Sequence, residues 1–254
     1  MARPTYGLAD KVCVITGGSR GIGLELARHL LQEKAKVAIC ARKQEGLDTA
    51  AEELKGGDAL LTVPAHIAKE EDVYILFEQT KARFGRIDIL INNVGMNLMT
   101  PSVVETESAT WQKIIDSNLT GTYYCSRAAA KIMKEQGGGK IVSISSLAAC
   151  RAAMGMGIYG IAKAGIEMLT RVLAVELASY NIQVNAIAPC MVKTGFSAPF
   201  WSNAHIHDEV VRGIPLGRLA ETEDIVHPVL FLCSSGADFI TGQIIAVDGG
   251  ATVI

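Results

Sequence analysis

The chain has 254 residues, of which 49% are hydrophobic and 20% charged, with a net charge of -2. That length suits one α/β domain, residues 1–254, around a large sheet, and the apolar share supplies a substantial core. A near-neutral charge without a basic stretch argues against a nucleic-acid footprint or a membrane-attracting patch, and no apolar run reaches the ~18 residues of a spanning helix. The mean hydropathy of +0.27 is high, so some apolar surface is expected to be buried between subunits. The six cysteines form no C-x-x-C pair and lie mostly in apolar runs, which suits reduced thiols in a cytoplasmic protein. The N-terminus has no apolar h-region and the C-terminus carries no S-K-L-type signal.

In chain order, a first strand is expected over 12–16, and it runs into Thr16-Gly17-Gly18-Ser19-Arg20-Gly21-Ile22-Gly23. Glycines at 17, 21 and 23 permit a tight turn and close approach of backbone to a phosphate. The amphipathic helix expected over 21–33 presents its N–H groups and positive dipole end to the same anion. The G-x-x-x-G-x-G spacing differs from the commoner G-x-G-x-x-G and lacks the Gly-Lys-Ser/Thr of a Walker loop. Gly17, Ser19, Arg20, Gly21, Ile22 and Gly23 are therefore read as the phosphate-binding turn of a dinucleotide site.

A second strand, 36–41, ends in Cys40-Ala41-Arg42-Lys43, with no acid to hold a ribose 2′-hydroxyl. Arg20, Arg42 and Lys43 suit a 2′-phosphate, which a carboxylate would repel, so the expected cofactor is NADPH/NADP. A helix over 44–54 and a strand over 60–64 follow, then His66-Ile67 and a helix over 71–84. The strand at 87–92 ends in Asn92-Asn93-Val94-Gly95, and the long helical pattern at 110–134 contains Asn118.

The strand at 140–145 is followed at once by Ser146, and 13 residues later Tyr159 opens a helix over 158–179 that also carries Lys163. Positions i and i+4 share a helix face, so phenol and ammonium point the same way. A nearby ammonium is expected to lower the phenol pKa and let it exchange a proton with an alcohol or alkoxide. Tyr and Lys at that spacing are common by chance. The place of Ser146, at the C-terminal edge of the sheet where ligands bind, makes the set meaningful. Met154 lies between Ser146 and Tyr159 and suits an apolar substrate pocket. A strand at 182–188 leads to Pro189-Cys190. Residues 194–213 then form an insertion containing Phe196, Phe200 and Trp201, which read equally as a substrate lid or as a core or interface patch. His205 and His207 are two apart, share no helix face and lack partners, so no metal site is expected. A helix at 223–233 and a strand at 244–247 close the chain. Seven apolar runs alternating with amphipathic ones imply an α/β fold: a Rossmann-type, doubly wound, seven-stranded parallel sheet with helices on both faces.

These motifs together, in this order, resemble the short-chain dehydrogenase/reductase family over essentially the whole chain. The resemblance implies that Tyr159 is the general acid/base and that Lys163 lowers its pKa and binds the nicotinamide ribose. Ser146 would hold the substrate carbonyl, and Asn118 would support a proton-relay water through its helix backbone. It further implies cofactor contacts from Asn93, Val94 and Gly95, from His66 and Ile67 beside the adenine, and from Pro189, Val192 and Thr194 beside the nicotinamide carboxamide. It also implies a homotetramer. Three departures stand out: His66 where the family has Asp, Val94 where it has Ala, and Cys190 where it has Gly. A neutral His66 imidazole is expected to accept a hydrogen bond in place of the carboxylate. The expected reaction is NADPH-dependent reduction of a small-molecule ketone or aldehyde, with Ser146, Met154, Tyr159, Phe200 and Trp201 at the substrate. Alternatives are reduction of a 3-oxoacyl thioester in fatty-acid synthesis and a non-catalytic NADP-binding regulator. Within the family, the carbonyl/retinal and tropinone reductase branches are the most similar.

Overall fold

The structure is a computed structural model and describes residues 5–253. Its first half runs β1 (Val12–Thr16), α1 (Gly21–Gln32), β2 (Lys36–Ala41), α2 (Gln44–Leu54), β3 (Leu60–Pro64), α3 (Glu70–Phe84) and β4 (Ile89–Asn92). The second half runs α4 (Ser108–Ile115), α5 (Gly121–Gln136), β5 (Gly139–Ile144), α6 (Gly157–Leu177), β6 (Ile182–Pro189), α7 (Ala198–Trp201), α8 (Ala204–Arg212), α9 (Thr222–Cys233) and β7 (Ile244–Val247). All seven strands join one parallel sheet in the order β3-β2-β1-β4-β5-β6-β7. The chain steps outward from β1 to β3, then crosses back to β4 on the other side of β1. That reversal opens a crevice at the C-terminal ends of β1 and β4, where ligands bind in open α/β sheets.

Side chains alternate across each strand, and each set is covered by its own helices. Cys13, Ile15, Val37, Ile39, Ile91, Val142 and Ile187 pack with Leu26 and Leu30 of α1, Leu47 of α2, and Ile225, Val229 and Leu230 of α9. Val12, Val14, Ala38, Cys40, Leu90, Ile141 and Val184 pack on the other side with Leu76 and Phe77 of α3, Ala129 and Met133 of α5, and Leu177 of α6. Each fully buried Leu or Ile contributes about 1.5–3 kcal/mol relative to exposure. Both faces of the sheet are therefore anchored, and its C-terminal edge is a fixed platform.

Most expected elements shift by a residue or two at their ends, and two of the differences have a local cause. The strand expected from residue 87 begins at Ile89. The Gln136 side chain takes up both backbone groups of Ile87, accepting from its N–H at 2.9 Å and donating to its carbonyl at 2.8 Å. The helix expected over 110–134 is broken by a π-helical turn, Asp116–Thr120. There Asn118 Nδ2 donates to the Ile114 carbonyl at 2.8 Å, inserting a side chain into the ladder one turn back.

Candidate active site

The glycine turn is held by the end of β4. Asn93 Nδ2 donates to the carbonyls of Thr16 at 3.0 Å and Gly17 at 3.1 Å, and Thr16 Oγ1 accepts from the amides of Asn93 and Val94. Gly17 has φ +68°, and a Cβ on Gly23 would lie 2.4 Å from the Gly17 carbonyl oxygen and 2.5 Å from Asn93 Nδ2. Gly18, which the spacing argument passed over, is needed as well, because a Cβ there would meet Ile39 at 2.6 Å. The resulting cradle opens on the N-terminus of α1, whose amides and dipole suit a phosphate. Thr194 reaches it from beyond β6: its Cγ2 lies 3.6 Å from the Cβ position of Gly21.

Arg20 and Lys43 stand just before α1 and α2, with Arg42 just past the end of β2. All three are exposed, and none enters an ion pair among the described residues. Ser19 and Ile22 are half-buried in the turn. At the end of β3, His66 differs from expectation. The Ala68 amide donates to His66 Nδ1 at 3.2 Å, so Nδ1 is already the acceptor and the ring hydrogen sits on Nε2. The imidazole therefore has a donor, not an acceptor, left to offer. Its backbone amide donates to Asp72 Oδ2 at 2.8 Å. The Ile67 side chain is buried against Gly121 in the core, so only its backbone faces outward.

The reactive residues meet where β5 ends against α6. Lys163 is 2% exposed and Tyr159 7%. The Ser146 hydroxyl lies near enough to the Tyr159 phenol to oppose the rise in its pKa, and it accepts from the Ala148 amide at 3.2 Å. Ser145 is occupied elsewhere: its hydroxyl donates to Glu167 Oε1 at 3.0 Å, which leaves Ser146 alone beside the phenol. Lys163 Nζ donates to the Ile144 carbonyl at 2.7 Å and lies 5.5 Å from the centroid of the Tyr159 ring. Gly95 completes the pocket, with its Cβ position 3.7 Å from Lys163 Nζ and 3.9 Å from Asn118 Oδ1. Asn118 is fully buried: its amide donates to the carbonyls of Met96 and Ile114 at 2.8 Å each and accepts from the Met96 amide. It thereby pins the loop after β4 onto the π-helical turn.

Burial dominates the electrostatics. It pushes the Tyr159 phenol up to about 12 against the opposing Ser146 hydroxyl, and pulls the Lys163 ammonium down to about 8. A phenol lowered by Lys163 was the expectation. In this geometry the ammonium is turned to the Ile144 carbonyl and desolvation of the phenol prevails, so Tyr159 holds its proton at neutral pH.

The remaining assigned residues are spread wider. Pro189 ends β6 opposite Val247, and Val192 pairs with Ala220 in an isolated parallel bridge. The Thr194 amide donates to Ser197 Oγ at 3.2 Å. Trp201 turns away from the pocket: its Nε1 donates to the Thr194 carbonyl and to Ser197 Oγ, and its ring packs near Ile214 and Leu219. The side chain of Phe200 lies outside what the structure describes. Met154 is 89% exposed, whereas Met156 and Met96 pack against Tyr159 and Ile158. The aromatic side chain that does face the phenol is Phe196, 6.4 Å from the Tyr159 ring centroid to centroid. Its position in the insertion was the only signal for it in the sequence. His205 and His207 pair with Glu209 and Asp208 along α8. Among the described residues no group of three or more His, Cys, Asp or Glu is placed to hold a metal ion, and no helix is long and apolar enough to cross a membrane.

The arrangement places a protonated phenol and a hydroxyl side by side, next to a buried ammonium and within reach of an anion-binding cradle. Such a set can hold a carbonyl oxygen and deliver a proton to it. Comparison with known proteins agrees with that chemistry. A family model described as enoyl-(acyl carrier protein) reductase matches residues 17–252. Dehydrogenase/reductase SDR family member 4 of Oryctolagus cuniculus is 36% identical over 96% of this chain and 94% of its own. A 3alpha-hydroxysteroid dehydrogenase of Mediterraneibacter gnavus is 39% identical over 96% of this chain and 98% of its own. A solved short-chain type dehydrogenase/reductase from Mycobacterium ulcerans superposes with a TM-score of 0.94 at 31% identity, covering 97% of this chain and 91% of its own.

Proposed function

Because the chain belongs to the short-chain dehydrogenase/reductase family, and so is an oxidoreductase acting on CH–OH and C=O groups with a nicotinamide cofactor, we propose that it reduces a small-molecule ketone or aldehyde with NADPH. The observation that carries this reading is the grouping of the Ser146 hydroxyl and the buried Tyr159 phenol beside buried Lys163, whose Nζ is fixed on the Ile144 carbonyl at the C-terminal edge of the sheet. The turn of Gly17, Gly21 and Gly23, so tight that a Cβ on Gly23 would strike the Gly17 carbonyl, leads into the N-terminus of α1, whose amides suit a pyrophosphate. The exposed Arg20, Arg42 and Lys43 favour a 2′-phosphate over a bare hydroxyl. A bound dihydronicotinamide supplies the hydride.

The chain's own residues supply the rest. Ser146 and Tyr159 hydrogen-bond the carbonyl oxygen and stabilise the charge that develops on it. The phenol, protonated at neutral pH, gives its proton to that oxygen, which becomes the alcohol. Lys163, drawn down to about 8, is a cation below that pH, steadying the phenolate left behind and reaching the cofactor ribose. Gly95 and Asn118 lie beside Lys163, and the helix backbone at Asn118 is the proposed support for a water that relays a replacement proton. Residues 194–213 act as a lid, with Thr194 at the cradle and Phe196 over the phenol. Residues 1–254 work as one cofactor-binding and catalytic unit. All six cysteines are free thiols, and four are buried, which supports a reducing compartment, the cytoplasm.

A second reading, reduction of a carrier-bound acyl thioester, draws support from the description of the matching family model. Consumption of NADPH against a panel of α-dicarbonyls, aryl ketones, cyclic ketones and acyl thioesters separates the two. On the accepted substrate, Tyr159→Phe is expected to lower kcat by about 10²–10⁴, the usual worth of a general acid. A variant that keeps wild-type turnover would remove the mechanism.

A further inference from the structure

Three successive residues at the end of β5 each meet one face of α6. The Ile144 carbonyl accepts from Lys163 Nζ at 2.7 Å, Ser145 Oγ donates to Glu167 Oε1 at 3.0 Å, and the Ser146 hydroxyl lies beside the Tyr159 phenol. On the helix the partners are residues 159, 163 and 167, spaced i, i+4 and i+8, and so form one stripe. The first and third contacts belong to groups with a proposed part in the reaction. The middle one, the tie between Ser145 and Glu167, has none.

Its chemistry is hard to explain as packing. Ser145 is 2% exposed and the Glu167 side chain 13%. The Arg171 guanidinium stands 3.9 Å from the carboxylate, beyond hydrogen-bonding distance. The carboxylate is thus mostly covered, and its one close donor among the described residues is the Ser145 hydroxyl. If Glu167 served the fold alone, an aliphatic side chain would serve as well or better. What the carboxylate does is fix direction. The Ser145 amide already donates to the Ile187 carbonyl of β6 at 2.7 Å, so the residue is clamped to the sheet by its backbone and to α6 by its side chain.

We propose that Glu167 is a positioning residue of the reaction: acting through Ser145, it sets the end of β5 against α6 and thereby the placement of the Ser146 hydroxyl relative to the Tyr159 phenol. Ser146 follows Ser145 directly, so any swing of residue 145 is passed to it undamped. Misplacement of a reacting group by about 1 Å can lower a rate on the order of 100-fold, and a loosened clamp falls short of that limit. The inference rests on the proposed reduction, and the test includes a control that separates the two.

The experiment compares Glu167→Leu, Glu167→Gln, Ser145→Ala and the Ser145→Ala/Glu167→Leu double variant with the wild type, and adds Tyr159→Phe as control. The measurements are kcat, KM for NADPH, thermal midpoint and the isotope effect with deuterated NADPH. Glu167→Leu and Ser145→Ala are each expected to lower kcat about tenfold, with KM for NADPH changed by less than about twofold. The double variant should be no worse than either single one, because both remove the same tie. Glu167→Gln should restore most of the turnover, since its side-chain carbonyl accepts the same hydrogen bond. The isotope effect should grow in the impaired variants, a change that a merely structural role would not produce. Unchanged turnover in Glu167→Leu, or additive losses in the double variant, would overturn the proposal. Should the leucine variant fail to fold, Ser145→Ala, which removes one oxygen, decides by kcat and isotope effect. If Tyr159→Phe keeps full turnover, the proposed reaction is wrong. The non-additivity and isotope effect still report whether the Ser145–Glu167 tie aligns the reacting groups.

Discussion

Lys163 shows how one buried side chain ties chemistry to stability. Its ammonium is drawn down to about 8 by burial, from an ordinary value of 10.5. Below pH 8 both the folded and the unfolded chain carry the charge, and the folded form bears the full penalty of burying it. Between about 8 and 10.5 the unfolded chain holds the proton more tightly, so stability rises with pH. Tyr159 acts in the opposite sense higher up: with its phenol pushed from 10.0 to about 12, stability falls as pH climbs through that window. For the cofactor-free protein, chemical denaturation at pH 7.5 and 9.5 should show the buried Cys13, Cys40, Cys125 and Cys233 thiols, all pushed up by burial, lowering stability across that window, with Lys163 contributing an opposing gain of about 2 kcal/mol. Lys163→Met should remove that gain, and an equal pH dependence in the variant would mean that another group is responsible. Tyr159, Lys163 and Ser146 were legible from spacing because a helix repeat and a strand end fix where side chains go. The direction of the phenol shift was not, because it depends on how much water the folded chain excludes. Spacing also favoured Ser146 over Ser145, and the structure supplies the reason by engaging Ser145 with Glu167.

At the scale of elements, the β1–α1 turn and the end of β2 act as a unit. The Gly17–Gly23 cradle is the proposed pyrophosphate site, and Arg42, just past the end of β2, is exposed with no ion-pair partner among the described residues. Arg42→Ala is expected to raise KM for NADPH about tenfold or more, the worth of one charge-assisted hydrogen bond, and to leave NADH little changed. Equal preference ratios in wild type and variant, measured with both coenzymes, would refute the 2′-phosphate assignment. The strands and most helices were readable from apolar periodicity, because both faces of a parallel sheet are covered. The break at Asp116–Thr120 was not, since it comes from the Asn118 amide competing for a main-chain carbonyl, which hydrophobic patterning does not register. The His66 tautomer escaped for a similar reason: it is set by the Ala68 amide two residues on.

For the whole molecule, the outer side of α6 bears on assembly. Ile161, Met168, Val172 and Val175 are exposed there, and Trp111 of α4 and Tyr123 of α5 are exposed on neighbouring helices. Apolar surface of that extent favours burial between copies, which supports a proposed homotetramer and accounts for the high mean hydropathy. Sedimentation should give a mass near four times 27.0 kDa. Val175→Glu together with Met168→Glu should shift it to smaller species, and an unchanged mass would place the interface elsewhere.

The tie between β5 and α6 has a last consequence. Tyr159, the proposed proton donor, sits on α6, and Ser146 lies two residues past the end of β5, so both are placed by elements that the core holds rigid. The apolar side chains around them, Met96, Met156 and Phe196, come from separate connecting segments outside the strands. The molecule thus separates its chassis from its upholstery. If the proposed reduction holds, exchanging the segments that line the entrance should refit it for differently shaped carbonyl compounds, while the placement of Ser146 against Tyr159 stays as β5 and α6 set it.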